Sequence, residues 1–257
     1  MVLMSRFAVA AESALNRIKI NAISKEIRNG RPVWVKRRRA AGGPVARFAN
    51  LFFRWAQNPV YVWPRLEAWQ EWEIYCFRKL NGDAFQAFAE GNSVVCAEKL
   101  PGTSLSEHLD NGTLTTDMLG AAALEFRRAH QLWCERFNGP WSHGDAHLAN
   151  VLYDEAEHRA RFIDFEVIHK SCLSAVERHA DDLLVFLQDM AGRVRSDLWL
   201  PYSLAFIGTY EDPEVIAALK HRLVVPRGVP RVWWAVRTRC INGRELRQRV
   251  QALRDAL

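Results

Sequence analysis

The chain of 257 residues is 49% hydrophobic, carries ten tryptophans, and has a net charge of +6 with an isoelectric point near 9.2. That supports one large domain or two lobes sharing a cleft, and the basic balance favours an anionic partner: a nucleotide, nucleic acid, an anionic lipid or a phosphorylated sugar. The five cysteines are scattered, odd in number and without a close pair, which excludes a disulfide framework or zinc spacing and predicts a reducing compartment.

The first twelve residues are mildly apolar but lack a basic lead, and Glu12 and Arg17 interrupt the apolar pattern, so no signal peptide is expected. No apolar run approaches the roughly 18 residues of a membrane span. Residues 5–18 read as a short amphipathic helix or an irregular lead-in. Two β-like runs, Ile18 to Ile23 and Val33 to Lys36, flank Arg28-Asn29-Gly30-Arg31, and Asn-Gly between such runs signals a hairpin. Lys36 stands at the end of the second run and also opens the basic run Lys36-Arg37-Arg38-Arg39, which a solvated surface would equally explain.

The segment from Arg37 to Pro64 mixes arginines with Phe48, Leu51, Phe52, Phe53 and Trp55. Ala46 to Gln57 fits an amphipathic helix whose apolar face packs on the N-terminal lobe, with contact to an anionic membrane surface as the alternative. Leu66 to Leu80 is helical and ends at Asn81-Gly82. It carries Glu71 and Glu73, which point to different sides. Ala84 to Ala89 and Ser93 to Ala97 read as strands leading into Glu98-Lys99-Leu100-Pro101-Gly102, where Pro-Gly ends the second strand. Helices are expected over Ser104 to Leu109 and Asp117 to Phe137, the latter with Leu119, Ala123, Phe126, His130 and Trp133 at helical spacing. His130 reads as a packed core histidine, and Gly139-Pro140 as the helix stop.

The most informative stretch is Ser142-His143-Gly144-Asp145-Ala146-His147-Leu148-Ala149-Asn150, answered by Ile163-Asp164-Phe165-Glu166. Between them a polar turn, Asp154 to Arg161, joins two apolar strand signals. This hairpin gathers Asp145, Asn150 and Asp164 at one end. A carboxylate there can accept the proton of an attacking hydroxyl, while an amide oxygen and a second carboxylate suit a hard cation. Zinc held by His143, Asp145 and His147 is the rival metal reading.

His-Gly-Asp, an Asn five residues on, and then Ile-Asp-Phe-Glu together resemble the catalytic and metal loops of the protein-kinase-like superfamily, more closely its aminoglycoside, choline and lipopolysaccharide-sugar kinases than its protein kinases. The resemblance implies an α+β bilobal fold, with a small antiparallel-sheet N-lobe (residues 1–99) and a mainly helical C-lobe (residues 100–257). It implies Asp145 as base, His143 as its brace, and Asn150 and Asp164 as Mg²⁺ ligands. Lys36 would contact the phosphates of ATP and pair with Glu73, Glu71 being the reserve, while backbone groups at Glu98 and Leu100 would meet the adenine edge. His147 would support the loop, Glu166 stands where protein kinases have glycine, and Asp181 or Asp182 would tie the loop backbone or cap a helix.

Two departures qualify the resemblance. Residues 1–29 contain no glycine, so any phosphate cradle must come from residues such as Asn21 to Ser24. Only Val167 to Ala180 separate Glu166 from the next helix, too little for a protein-kinase activation segment. The expected function is therefore Mg-ATP-dependent phosphoryl transfer to an alcohol of a sugar or lipid-linked sugar. The alternatives are an aminoglycoside- or choline-type acceptor and a nucleotide-binding pseudokinase without turnover. A cytoplasmic monomer, with peripheral contact at an anionic membrane as a further reading, completes the expectation. The tail from Asp197 onward reads as helical, broken at Glu211-Asp212-Pro213 and at Pro226 to Pro230. In Arg231 to Arg239, Trp233 and Trp234 read as core rather than as a nucleic-acid patch.

Overall fold

The computed structural model describes residues 20–28 and 30–257. The expectation for residues 5–18, the start of the first strand at Ile18 and the turn residue Asn29 lie outside the described residues. In chain order the elements are β1 (Asn21–Arg28), β2 (Arg31–Arg38), α1 (Gly42–Trp55), β3 (Val60–Val62), α2 (Leu66–Asn81), β4 (Ala87–Glu90) and β5 (Val94–Glu98). These are followed by β6 (Thr103–Ser104), α3 (Leu105–Asp110), α4 (Thr116–His130), β7 (Trp133–Cys134), β8 (Gly139–Pro140), β9 (Val151–Asp154), β10 (Arg159–Phe162) and β11 (Val167–His169). Five helices close the chain: α5 (Ala175–Arg193), α6 (Ser196–Tyr210), α7 (Pro213–Arg222), α8 (Pro230–Arg237) and α9 (Gly243–Ala256). The architecture is α+β, a small antiparallel sheet followed by a mainly helical region.

The N-terminal sheet runs β1-β2-β5-β4, antiparallel throughout, with Asn21 opposite Arg38 and Arg28 opposite Arg31. Alternation along β2 sorts its residues. Val33 and Val35 pack with Cys96 on one face, while Trp34, Lys36 and Arg38 share the other. The basic run is therefore split: Lys36 and Arg38 are buried, and Arg37 reaches the surface to pair with Glu26.

A second sheet, β10-β9-β6, carries the polar hairpin that the sequence places between Asn150 and Asp164. Its apolar side rests on α4, where Phe126 meets Phe162, Phe186 and Phe206 edge-on at 4.8, 5.4 and 5.3 Å. One continuous core runs from Trp72, Cys76, Phe77 and Leu80 of α2 through this aromatic cluster to Leu253 of α9.

Two sequence expectations need correction. Helix α4 ends at His130, not at Phe137, because residues 133–134 turn back to pair with Gly139–Pro140, so that Gly-Pro forms a strand rather than a helix stop. The inner face of α1 packs on β3, β11 and Trp233 of α8, while the bulky residues Phe48, Leu51 and Trp55, expected to pack on the N-terminal lobe, are exposed. Strand β3 pairs with β11, directly after Glu166, through Val62 opposite Val167, which clamps the segment between β2 and α2 against the loop that carries Asp164.

The linker into the helical region is fixed by a close approach. Gly102 has φ +102°, and a Cβ there would lie 2.3 Å from the Tyr153 carbonyl oxygen on β9. Only glycine fits such a contact at such a dihedral. Gly102→Ala is therefore expected to cost roughly 2 kcal/mol or more, read as a lower urea midpoint with an unchanged slope.

Candidate functional site

The N-terminal half of the site is organised by one ammonium. Lys36 Nζ donates to Glu73 Oε1 at 2.9 Å and to Oε2 at 3.1 Å, hydrogen-bonds Asp164 Oδ1, and lies 3.7 Å from Glu166 Oε2. Glu73, rather than Glu71, is thus the partner on α2, and the Trp69 indole holds it from one helical turn away at 3.1 Å. Burial opposes the charge on Lys36, but the carboxylates of Asp164, Glu73 and Glu166 outweigh it and raise its pKa. Burial likewise pushes Glu73 up, and the Asp164 carboxyl, which burial would raise, is held down by Lys36. The Glu166 carboxyl is pushed up to about 7 by burial and by the charge of Asp164, and it takes a hydrogen bond from the Asn21 amide.

Asp164 has a left-handed backbone, φ +67°, a region aspartate tolerates better than most residues. Beside it opens a cavity of about 230 Å³ walled by Ile23, Trp34, Val95, Ala97 and Leu152, with Lys36, Glu73 and Asp164 at its polar end. Glu98 and Leu100 line its other edge. Glu98 N–H donates to Gln86 at 2.7 Å and Lys99 N–H to Pro32 at 3.2 Å, whereas the Glu98 carbonyl and Leu100 N–H have no hydrogen-bond partner among the described residues. An apolar slot edged by one free acceptor and one free donor can hold a flat heterocycle.

Next to it lies a polar cavity of about 390 Å³, lined by Asn21, Ala22, Ile23, Lys36, Arg39, Asp164 and Glu166. The sequence expects Asn21 to Ser24 to supply a cradle; they form the start of strand β1, and the Ser24 hydroxyl is spent on Glu26.

The second half of the site is the loop from Ser142 to Asn150. Gly144 is required there: at φ +89° its absent Cβ would sit 3.2 Å from the Val167 carbonyl oxygen on β11. His143 uses both ring nitrogens within the loop, accepting from Asp145 N–H at 3.2 Å and donating to the Ile163 carbonyl at 3.1 Å. It therefore links the Asp145 turn to the Asp164 turn and has no lone pair left for zinc. His147 Nδ1 accepts from Ala149 N–H at 3.3 Å, and among the described residues no cluster of three His, Cys, Asp or Glu side chains could hold a metal ion. The Asn150 amide nitrogen donates to the Asp145 carbonyl at 2.9 Å, and Ile163 N–H donates to the Asn150 carbonyl at 3.0 Å. This leaves the Asn150 side-chain oxygen free beside the Asp164 turn. An amide oxygen and a carboxylate are the hard donors Mg²⁺ takes, in the small number it takes from protein.

Asp182 anchors the loop from below. Its carboxylate accepts His143 N–H at 2.8 Å, Gly144 N–H at 2.7 Å and His130 Nε2–H at 3.1 Å. Burial would raise this carboxyl, yet the charge of His169 and the bond from His130 hold it well below the usual range. The helix that carries Asp182 begins earlier than expected, with Ser174 and Glu177 forming a capping box, so neither Asp181 nor Asp182 caps it. Asp181 instead meets His169 and Arg222 at 3.3 and 3.0 Å. His130 is a core histidine, as its spacing predicts, and also accepts a hydrogen bond from Tyr210 at 2.8 Å.

Two site residues went unread in the sequence. Asp189, two helical turns after Asp182 on the same face of α5, accepts Leu148 N–H at 3.1 Å; that spacing was a usable signal. Arg237 on α8 lies 3.6 Å from Asp145 Oδ1, is nearly buried, and packs over Trp233 at 4.9 Å. No local pattern ties a residue 92 positions downstream to Asp145. Of the pair read as core, Trp234 is buried, while Trp233 is part-exposed and joins α8 to Phe52 and Phe53 of α1.

No family model matches the chain, and no curated protein matches it significantly. Among solved structures it is similar to the complex of Rv3197 with erythromycin from Mycobacterium tuberculosis, at 17% identity and a TM-score of 0.41. The match covers 72% of this chain and 51% of that one, so the chain spans about half the length of that protein. A likeness at this level carries no argument about fold or function.

Below Asp182 the His130 and His179 rings stack 3.9 Å apart, and the latter donates to the Trp141 carbonyl at 3.0 Å. Burial and the neighbouring His130 push the His179 imidazole down to about 2, from an ordinary 6.5. The folded protein keeps this ring neutral where the unfolded chain protonates it. Its contribution is therefore complete above pH 6.5 and lost as pH falls below that value, at about 1 kcal/mol per pH unit. Urea midpoints should drop from pH 7.5 to pH 5.5, and His179→Gln should flatten that slope.

Proposed function

We propose that this protein is a Mg-ATP-dependent phosphotransferase that moves the γ-phosphate to an alcohol of a non-protein acceptor, with a protein-kinase-like arrangement of its two halves. The observation that carries the reading is Lys36, held between Glu73 of α2 and Asp164 at the polar end of an apolar slot. The slot would take adenine, with the free Glu98 carbonyl and Leu100 N–H on its edge. Lys36 would then neutralise phosphate oxygens. Asn150 and Asp164 would hold Mg²⁺, which when bound supplies charge neutralisation for the phosphates.

In the transfer itself, the acceptor oxygen forms a bond to the γ-phosphorus while the bond from that phosphorus to the β-bridging oxygen breaks, releasing ADP. Asp145 takes the hydroxyl proton. His143 does not exchange a proton; its two hydrogen bonds fix the distance between the Asp145 and Asp164 turns. Transfer of this kind depends on position and charge more than on a perturbed base.

Arg237 bears on the acceptor. A guanidinium 3.6 Å from the base repels cationic acceptors and suits neutral or anionic ones, which favours a sugar of the lipopolysaccharide type over an aminoglycoside or choline. Nucleotide binding without turnover is the second reading, favoured by the strand that replaces a glycine loop at Asn21 to Ser24.

Incubation with γ-labelled ATP and fractionated cell lipids and sugars should label one acceptor fraction in a Mg-dependent way. Asp145→Ala should lower that transfer by roughly 10²- to 10⁴-fold while leaving nucleotide affinity in place. Equal, negligible transfer by wild type and variant across all fractions, with Mg-ATP still bound, would leave only the binding reading. Arg237→Ala should raise the acceptor KM with little change in the KM for ATP.

A further inference from the structure

We propose that the outer face of α1 docks the protein on an anionic lipid bilayer. A surface helix ordinarily turns its bulky apolar residues inward; α1 does the reverse over most of its length. Its inner face uses Ala46, Ala49 and Phe53, and the small residues let it lie close to β3. Its outer face carries Phe48, Leu51 and Trp55, which are 74%, 65% and 57% exposed. The intervals between them, three and four residues, put all three on one side of the helix. Arg47 and Arg54 are exposed on the same side.

The charge around this face selects the partner. Helix α1 contains no Asp or Glu, and its charged residues, Arg47 and Arg54, are both exposed. A protein partner for three large apolar side chains would more often present a matching apolar patch with mixed charge at its rim. An aromatic and aliphatic ridge flanked by arginines alone matches the boundary between acyl chains and anionic headgroups, where Trp settles and Arg extends to phosphate. Among the described residues no helix is long and apolar enough to cross a membrane, so contact through α1 would be interfacial.

Docking there would also orient the molecule. Phe52 and Phe53 meet Trp233 at 6.1 and 5.0 Å, and Arg237, one turn further on, faces Asp145. Helix α1, by its inner side, and the Asp145 loop therefore flank the same helix, α8. The proposal itself rests on α1 and not on the phosphotransferase reading.

Flotation of the full-length protein with vesicles of phosphatidylcholine alone, and of phosphatidylcholine mixed with phosphatidylglycerol, tests it. The protein should float with the mixed vesicles and only weakly with phosphatidylcholine. The combined variant Phe48→Ser, Leu51→Ser, Trp55→Ser should weaken partitioning by about tenfold or more, since three buried apolar side chains are removed. Arg47→Glu with Arg54→Glu should weaken it comparably, as should raising the salt, by screening. Because all five side chains are exposed, far-ultraviolet circular dichroism and thermal midpoints should stay at wild-type values. Failure of the wild type to float with either vesicle overturns the proposal, as does equal flotation of the serine variant. A concentration-dependent dimer that the serine variant abolishes, without vesicle binding, would assign the face to a second copy of the chain instead.

Discussion

A buried lysine cannot stay charged without partners, and the site is arranged around meeting that demand for Lys36. Its ammonium comes from strand β2, Glu73 from helix α2 and Asp164 from the loop after β10, so one cation ties three elements distant in sequence. Desolvation of such a group costs several kcal/mol, and removing one partner leaves the others uncompensated. There are more carboxylates than the lysine can neutralise. Glu73, Asp164 and Glu166 surround one ammonium, and burial together with the charge of Asp164 pushes Glu166 up to about 7. On the proposed reading, the Asn150 amide oxygen and the Asp164 carboxylate, rather than this cluster as a whole, are the hard donors that Mg²⁺ would take.

The loop bearing Asp145 depends on a different anchor. Asp182 accepts two consecutive backbone N–H groups, from His143 and Gly144, and a third bond from His130. Asp189 secures Leu148 from the next turns of the same helix. Helix α5 thus acts as a rigid template for a loop that has little regular structure of its own. The polar network beneath it is almost dry: His130, His179, His143 and Asp182 are all buried. Such a network specifies one arrangement only when every member is partnered, and the stacked histidines achieve this by staying neutral, at the cost of acid sensitivity.

Local pattern made much of this readable. Asn-Gly between β-like runs located the first hairpin, and period-2 and period-3.6 signals placed β4, β5 and α2 close to their observed bounds. Of the residues that the resemblance put in one site, Lys36, Glu73 and Asp164 meet directly, while Asp145 and Asn150 are tied to the Asp164 turn through His143 and the Ile163 backbone. What escaped was long-range. The early end of α4 is set by pairing of Trp133–Cys134 with Gly139–Pro140, which helical periodicity through Trp133 conceals. The choice between Asp181 and Asp182 turns on which side of α5 faces the loop, and adjacent residues in a helix point about 100° apart. The helix start at Ser174 removed the capping explanation, which would have suited either residue.

The segment between β2 and α2 shows why sequence order misleads most where an insertion meets a distant partner. Read locally, its apolar face is expected to pack on the N-terminal lobe. In the structure β3 pairs with β11 and α1 leans on Trp233, so a segment near residue 50 closes against one near residue 233. That contact brings α8 over the Asp145 loop, where Arg237 lies 3.6 Å from the Asp145 carboxylate. The Arg237 Nε is buried with no hydrogen-bond partner among the described residues, and an orphaned guanidinium nitrogen carries a free-energy cost of about 1–3 kcal/mol. On the proposed reading, an acceptor with an oxygen-rich or anionic face would satisfy Arg237 and lie beside Asp145 at once. The insertion, the aromatic contact and the arginine thus form one continuous chain of contacts that ends at Asp145, built from residues no local motif could connect.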